Sequence, residues 1–218
     1  MSGYRADVVS VIISLSLSVP LIHGCAKEKQ EPGFFHDTIS AEGQTYPTLV
    51  IPELGVSWLA ENLDIPTEGT SFCFEEMPHY CFLYGRLYTL EGAKEGCARL
   101  GPGWQVPALE DWRALGEYFG GFFEPNVTDS HLWDAEKSFN RLTVGGDSGF
   151  NIKKGGGYGS EQQEYYGSST AFFWTRSAEA GSYFSYIIFG RSWDVNIIGK
   201  GGFVRSNDRL SCRCIKYE

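Results

Sequence analysis

The chain has 218 residues, a formal net charge of −9 and 15% aromatic residues, with 27 glycines. Its acidic charge is dispersed and no basic cluster breaks it, which argues against nucleic acid as a partner. Abundant glycine and aromatics with few long helical periodicities point to a loop-rich, largely β domain carrying a few helices.

The N-terminal segment places Arg5 before an apolar stretch from Val8 to Ile22, followed by His23, Gly24 and Cys25. A charged start, an apolar middle and a small residue before a cut have the layout of a secretory signal. The apolar run is shorter than the ~20 residues of a bilayer span, and Pro20 interrupts it. A cysteine at the cut resembles the lipobox of bacterial lipoproteins, which makes Cys25 the expected lipidation site. Residues 1–24 are then a signal peptide. Residues 25–35, charged and unpatterned over Ala26–Pro32, are a flexible tether, and 36–218 form one domain.

Thr48–Ile51 and Val56–Leu59 read as two short strands around the turn Pro52-Glu53-Leu54-Gly55. Thr89 is placed to cap a helix whose Leu90, Ala93, Cys97 and Leu100 share a face, stopped by Gly101-Pro102-Gly103. A second helix carries Leu109, Trp112, Leu115 and Phe119 on one stripe, with Glu110 and Asp111 in its first turn. The pattern then weakens, with one short helix expected around Trp133–Leu142. Residues 150–170 are rich in Gly, Tyr and Ser and read as ordered loop. Strands are expected at Phe172–Ser177, Tyr183–Phe189, Trp193–Ile198 and Leu210–Lys216.

Beyond Cys25 there are five cysteines, at 73, 81, 97, 212 and 214. An odd set allows two bridges and a spare thiol, or one bridge and three thiols. A short Cys73–Cys81 loop is worth ~2.6 kcal/mol in the chain-entropy model, against ~5 kcal/mol for a Cys97–Cys214 bond closing nearly the whole domain. Zinc is the rival use of these thiols, but no CxxC or histidine-rich partner accompanies them.

An ordered series of motifs resembles one family. Gly43-Gln44-Thr45-Tyr46-Pro47-Thr48 precedes Trp58-Leu59-Ala60-Glu61-Asn62-Leu63, then Cys81-x-x-Tyr84-Gly85-Arg86-Leu87-Tyr88-Thr89, Cys97, Gly103-Trp104, Val106-Pro107 and Asp111-Trp112. Gly149-Phe150-Asn151, Gly156-Gly157-Tyr158, Phe173-Trp174-Thr175-Arg176-Ser177 and Arg213-Cys214-Ile215-Lys216 complete it. The series is similar to the Fibrobacter succinogenes major paralogous domain. That resemblance implies an α+β, C-type-lectin-like fold, with two helices flanking a small, twisted, mainly antiparallel sheet and a long loop region. It also implies exported or lipid-anchored proteins of Bacteroidetes-type bacteria, with Cys73, Cys81, Cys97 and Cys214 in two bridges. Cys212 is then the leftover, buried and inert. Arg86, Trp104 and Trp174 fall in the motifs as structural residues. One departure is Ala108, where the family has a capping Ser or Thr worth ~1 kcal/mol.

Two candidate ligand sites follow. Glu124-Pro125-Asn126 is the tripeptide with which sugar-binding C-type lectins hold calcium, so Glu124 and Asn126 are the candidate metal ligands. The accompanying Trp-Asn-Asp segment is missing, Trp193-Asp194 being its nearest echo, which favours a plain polar loop. The second candidate is aromatic: Tyr158, Tyr165, Tyr166, Trp133 and Trp193 supply flat faces on which sugar rings stack. The rival use of these rings is packing within the loop region.

An enzyme of the formylglycine-generating type shares the helix start Val106-Pro107 with Asp111-Trp112. It needs a spaced pair of reactive cysteines, and Cys212 and Cys214 lie too close together for that. His36, His79 and His131 have no spacing with a nucleophile or carboxylate that makes a triad. The expectation is a non-catalytic binding or adhesion module without a cofactor, at the outer membrane or cell surface. Its partners are the membrane through the lipid and a glycan or surface protein, and the alternative is a structural subunit of a surface assembly.

Overall fold

The computed structural model describes residues 33–125, 131–178, 182–192 and 195–218. Strands β1 (Phe35–Ala41) and β2 (Gln44–Ile51) form a hairpin whose register runs from Phe35 opposite Val50 to Ala41 opposite Gln44. Its two-residue turn, Glu42-Gly43, has positive φ at both positions (52° and 74°), the twist a tight hairpin demands. Arg99 clamps the turn through a two-pronged bond to the Glu42 carboxylate at 3.1 and 2.8 Å. A single 3₁₀ turn, Pro52–Leu54, leads into β3 (Val56–Leu59), which pairs with β2. Leu49, Ile51 and Trp58 point from these strands into the core and are fully buried.

Next come β4 (Ser71–Phe72), α1 (Pro78–Tyr84), β5 (Leu87–Tyr88), α2 (Leu90–Ala98), α3 (Leu109–Phe119) and α4 (Leu132–Leu142). The C-terminal half adds β6 (Gly157–Gly159), β7 (Glu164–Tyr166), β8 (Ala171–Ala178), β9 (Tyr183–Ser192), β10 (Val195–Arg205) and β11 (Ile215–Tyr217). The described strands form four antiparallel sheets: β1-β2-β3-β11, β10-β9-β8, β4-β5 and β6-β7.

This corrects the expected two helices flanking one small sheet: the described residues hold four α-helices and four sheets. Two causes are visible. First, α1 starts on Pro78 within the loop closed by the Cys73–Cys81 bridge, so it needs no apolar stripe of its own. Secondly, the strand expected at Leu210–Lys216 is handed from sheet to sheet. Leu210 bridges to Tyr88, Ser211 to Phe173, and only Ile215–Tyr217 pairs regularly, with β3. Residues 210–215 are all buried, so the alternation of a surface strand is absent. The loop region at 150–170 contains the β6–β7 hairpin, and α4 occupies the stretch where one short helix was expected.

Two large apolar clusters, and a small third of Ala135, Val195 and Ile197, fill the interior. One gathers Trp58, Trp112, Phe119, Phe150, Phe173 and Phe189 around α3 and the β8–β10 sheet. The other gathers Leu59, Leu63, Tyr88, Cys97, Trp104 and Trp174 around α2. The cap missing at Ala108 is replaced from two directions: Asp111 Oδ2 accepts the Ala108 N–H at 2.6 Å, and Ser177 Oγ of β8 accepts the Leu109 N–H at 2.9 Å. Among the described residues no helix is long and apolar enough to cross a membrane.

Candidate functional site

The C-terminal segment organises the loops around it. Arg213 is fully buried and spends its guanidinium on four neutral oxygens: Asn62 Oδ1 (3.0 Å) and the carbonyls of Leu59 (3.0 Å), Phe150 (2.7 Å) and Asn151 (2.9 Å). It also stacks on the Phe150 ring, 4.5 Å from the centroid. Burial pulls its pKa down to about 9, which leaves it charged at neutral pH. Cys214 joins α2 through Cys97, and Cys73 is bonded to Cys81. Trp174 Nε1–H donates to the Tyr88 carbonyl at 2.7 Å, and Arg86 pairs with Asp64 at 3.1 Å.

Four residues before Arg213, Arg209 lies between two rings, 3.4 Å from the Phe72 centroid and 4.3 Å from that of Tyr158. Its backbone exchanges two 2.9 Å hydrogen bonds with Tyr158. This fixes the β6–β7 hairpin, where Tyr158 sits opposite Tyr165 and Gly157 opposite Tyr166. Because neighbouring strand residues face opposite sides, Tyr165 packs on Tyr158 and Phe74 while Tyr166 faces the other way.

On that other side Tyr166 lines a cleft of about 250 Å³ with Tyr183, Tyr186, Phe203, Arg205 and the 159–162 turn. The rings run as a chain, Tyr166 to Phe172 at 5.0 Å and Phe172 to Tyr186 at 5.7 Å. Tyr186 lies against the backbone of Gly201, where a Cβ would come within 2.0 Å of its ring, so only glycine serves there. The β9–β10 register shifts between Lys200 and Phe203 at this point. Tyr183 and Phe203 are 41% and 62% exposed. Burial, assisted by the nearby Asp208 carboxylate, pushes the Tyr166 hydroxyl well up, so it stays a donor at neutral pH. Asp208 itself is occupied by the Ser160 N–H and hydroxyl and by the Arg205 N–H. Arg205 pairs with Glu161 at 2.5 Å and covers Tyr183.

Residues 55–216 match the Fibrobacter succinogenes major domain. The chain belongs to this family. No curated protein and no solved structure matches it. The matched span of this family member covers both bridges, the Arg213 hub and the cleft.

The sites expected from sequence in this family member separate. Of the five aromatic candidates, Tyr166 alone lines the cleft. Tyr158 and Tyr165 pack on the opposite face, Trp133 is 70% exposed on α4, and Trp193 lies outside the described residues. Glu124 is held by two cations, Arg113 at 2.5 Å and Lys200 at 3.8 Å, while Asn126 lies outside the described residues, as does Cys25. Cys97, Cys212 and Cys214 bring their sulfurs within 4.8 Å of one another. Two of those sulfurs are bonded to each other, so the set offers a cation one thiol rather than three. Cys212 is fully buried with its Sγ 3.6 Å from that of Cys97, and burial pushes its thiol far up. His36, His79 and His131 are all exposed.

Sequence reasoning missed Tyr183, Tyr186 and Phe203. The readable signal was a long hairpin whose aromatics stand beside Gly201-Gly202, a glycine pair that marks a bulge with room for a ring.

Proposed function

We propose that this family member is a non-catalytic binding module that holds a neutral glycan in the Tyr166–Tyr183–Tyr186–Phe203 cleft. The observation that carries this reading is the pairing of open aromatic faces with polar groups in one small concavity. Sugar rings offer apolar C–H faces for stacking and hydroxyls for hydrogen bonding, and a site for them needs both. The cleft volume of about 250 Å³ suits one or two sugar units. The Gln162 amide and the Tyr186 hydroxyl line it and make no hydrogen bond to the described residues. Buried Cys212 and disulfide-bonded Cys214 count against formylglycine-type chemistry, which needs an accessible thiolate.

The setting belongs to the same proposal. Two disulfides fit an oxidising compartment, and the apolar run ending at Cys25 fits export and lipid anchoring at the outer membrane or cell surface. A second reading, a protein–protein module of a surface assembly, has its own observation. Phe82, Met77 and Leu83, on or beside α1, are 84%, 47% and 46% exposed, an apolar patch held out on a disulfide-closed knuckle.

A glycan-array screen of the folded chain, with and without chelator, tests the first reading. The expected result is a hit unaffected by chelator and lost in Tyr183→Ala. A hit retained by that variant overturns the cleft assignment, and no hit on any neutral glycan leaves the α1 patch as the better-supported contact.

A further inference from the structure

A second concavity, about 440 Å³, lies between the end of α4 and the 150–155 segment. It shares no residue with the tyrosine cleft. Phe139 and Ile152 form its buried floor, and Val144, 65% exposed, stands at its edge. Among the described residues its charged lining is two cations, Lys153 and Lys154, in a chain whose net charge is −9. The Lys154 Nζ sits 5.0 Å from the centre of the Phe139 ring. Neither lysine has an ion-pair partner among the described residues. The carboxylate that Lys153 influences, Asp64, already has Arg86 as its direct partner at 3.1 Å.

The lysines are half-buried and their backbone is fixed. Asn151, two residues before Lys153, adopts a left-handed conformation (φ 52°), which asparagine tolerates better than most non-glycine residues. It is held there by the bond from Arg213 Nη2 to its carbonyl. Asn62 Nδ2 donates to the Lys153 carbonyl at 3.1 Å and to the Tyr84 carbonyl at 2.8 Å, while its Oδ1 accepts from Arg213. The Ile152 N–H donates to the Leu142 carbonyl at 3.0 Å. The negative end of the α4 dipole is blunted by such partners: the Arg141 carbonyl takes the Ser148 N–H and the Thr143 carbonyl the Gly146 N–H. A buried hydrogen-bond network thus fixes the backbone from which the two lysines project.

We infer that this pocket binds a small organic anion, its carboxylate or phosphate on Lys154 and Lys153 and its apolar or ring-shaped body on Phe139, Ile152 and Val144. Ser168 and Ser169 also line the pocket and add hydroxyls for the anionic oxygens. Arg213 and Asn62 are positioning residues: they hold the backbone that carries the lysines.

Calorimetric titration of the full chain, disulfides intact, with benzoate, phenyl phosphate and neutral benzyl alcohol is the test. Both anions are expected to saturate one site, with affinity falling as salt rises. Benzyl alcohol and the Lys153→Met/Lys154→Met variant are each expected to bind about tenfold more weakly or worse, the ~1.4 kcal/mol of one charge-assisted bond. Val144→Glu, at the exposed edge, leaves the core untouched and is expected to weaken the anions and not the alcohol. Absence of saturation by either anion overturns the inference. So does equal binding of benzyl alcohol, or unchanged anion binding by the double-methionine and Val144→Glu variants.

Discussion

Replacing Arg213 by methionine removes the guanidinium and keeps most of the side chain's length. Four oxygens then lose their charged donor: Asn62 Oδ1 and the carbonyls of Leu59, Phe150 and Asn151. The site has no exposed surface, so the four oxygens are out of direct reach of bulk water. Hydrogen bonds to a charged group contribute ~1.5–3 kcal/mol each, or roughly 6–12 for the set. Against this stands the desolvation cost of the buried charge, which is relieved in the variant. Burial lowers the Arg213 pKa, the sign of such a cost, which for a buried ion is roughly several kcal/mol. The difference centres on roughly 4 kcal/mol of lost stability, the scale of leaving several buried acceptors without a donor. For a domain of this size that lowers Tm by ~8–16 °C. Arg213→Lys keeps the charge but reaches fewer of the oxygens, so it should fall between parent and methionine variant. Urea and thermal unfolding of the disulfide-intact chain measure both. A methionine variant within ~1 kcal/mol of the parent would refute the claim that Arg213 organises this region.

The two bridges differ in loop length, 117 against 8 residues. Removing Cys97–Cys214 should therefore cost ~5 kcal/mol and removing Cys73–Cys81 ~2.5, and a reversed order of urea midpoints would contradict this. Cys212 makes a prediction about pH. Burial raises its folded-state pKa above the ordinary 9.0, so the folded state keeps the proton where the unfolded chain has lost it. The thiol's contribution is complete below pH 9 and declines above it, by up to ~1.4 kcal/mol per pH unit. Unfolding curves of parent and Cys212→Ala should thus converge between about pH 9 and pH 11, and parallel curves would count against a neutral buried thiol.

What the sequence disclosed followed periodicity. The stripes Leu90-Ala93-Cys97 and Leu109-Trp112-Leu115-Phe119 bury as helical spacing requires, and α2 and α3 lie where those stripes put them. The short helix α1 escaped notice because its stability comes from a covalent loop, and its exposed Phe82 and Leu83 spoil any amphipathic pattern. The strand read at Leu210–Lys216 mixed two demands. Its apolar content signalled burial, but burial on every side left no alternation to show where pairing stops. Tyr158, Tyr165 and Tyr166 shared a tract, and composition alone treated them as one site. The two-residue period of β7 separates them, and the cleft was completed by Tyr183, Tyr186 and Phe203 from a hairpin that lies elsewhere in the sequence. Ala108 shows the same limit from the other side: beside the local Asp111 bond, the Leu109 N–H is satisfied by Ser177, 68 residues further on.

The stretch from Asp208 to Cys214 connects these facts. Asp208 holds Ser160 at the turn lining the tyrosine cleft, and Arg209 fixes the hairpin that turns Tyr166 into it. Arg213 sets the backbone carrying Lys153 and Lys154, and Cys214 ties the segment to α2. Both concavities are thus built outward from one segment, buried from Leu210 onward, while Gln162, Tyr183, Phe203, Lys154 and Val144 line them at its periphery. Substitutions at the periphery are expected to alter the proposed sites at little cost to folding, because exposed side chains carry few of the core contacts. Substitutions in the segment disturb folding and both sites together. If the two proposed sites bind as inferred, their specificity is separable from stability at the level of single residues, and Arg213→Met against Val144→Glu is the pair that displays the separation.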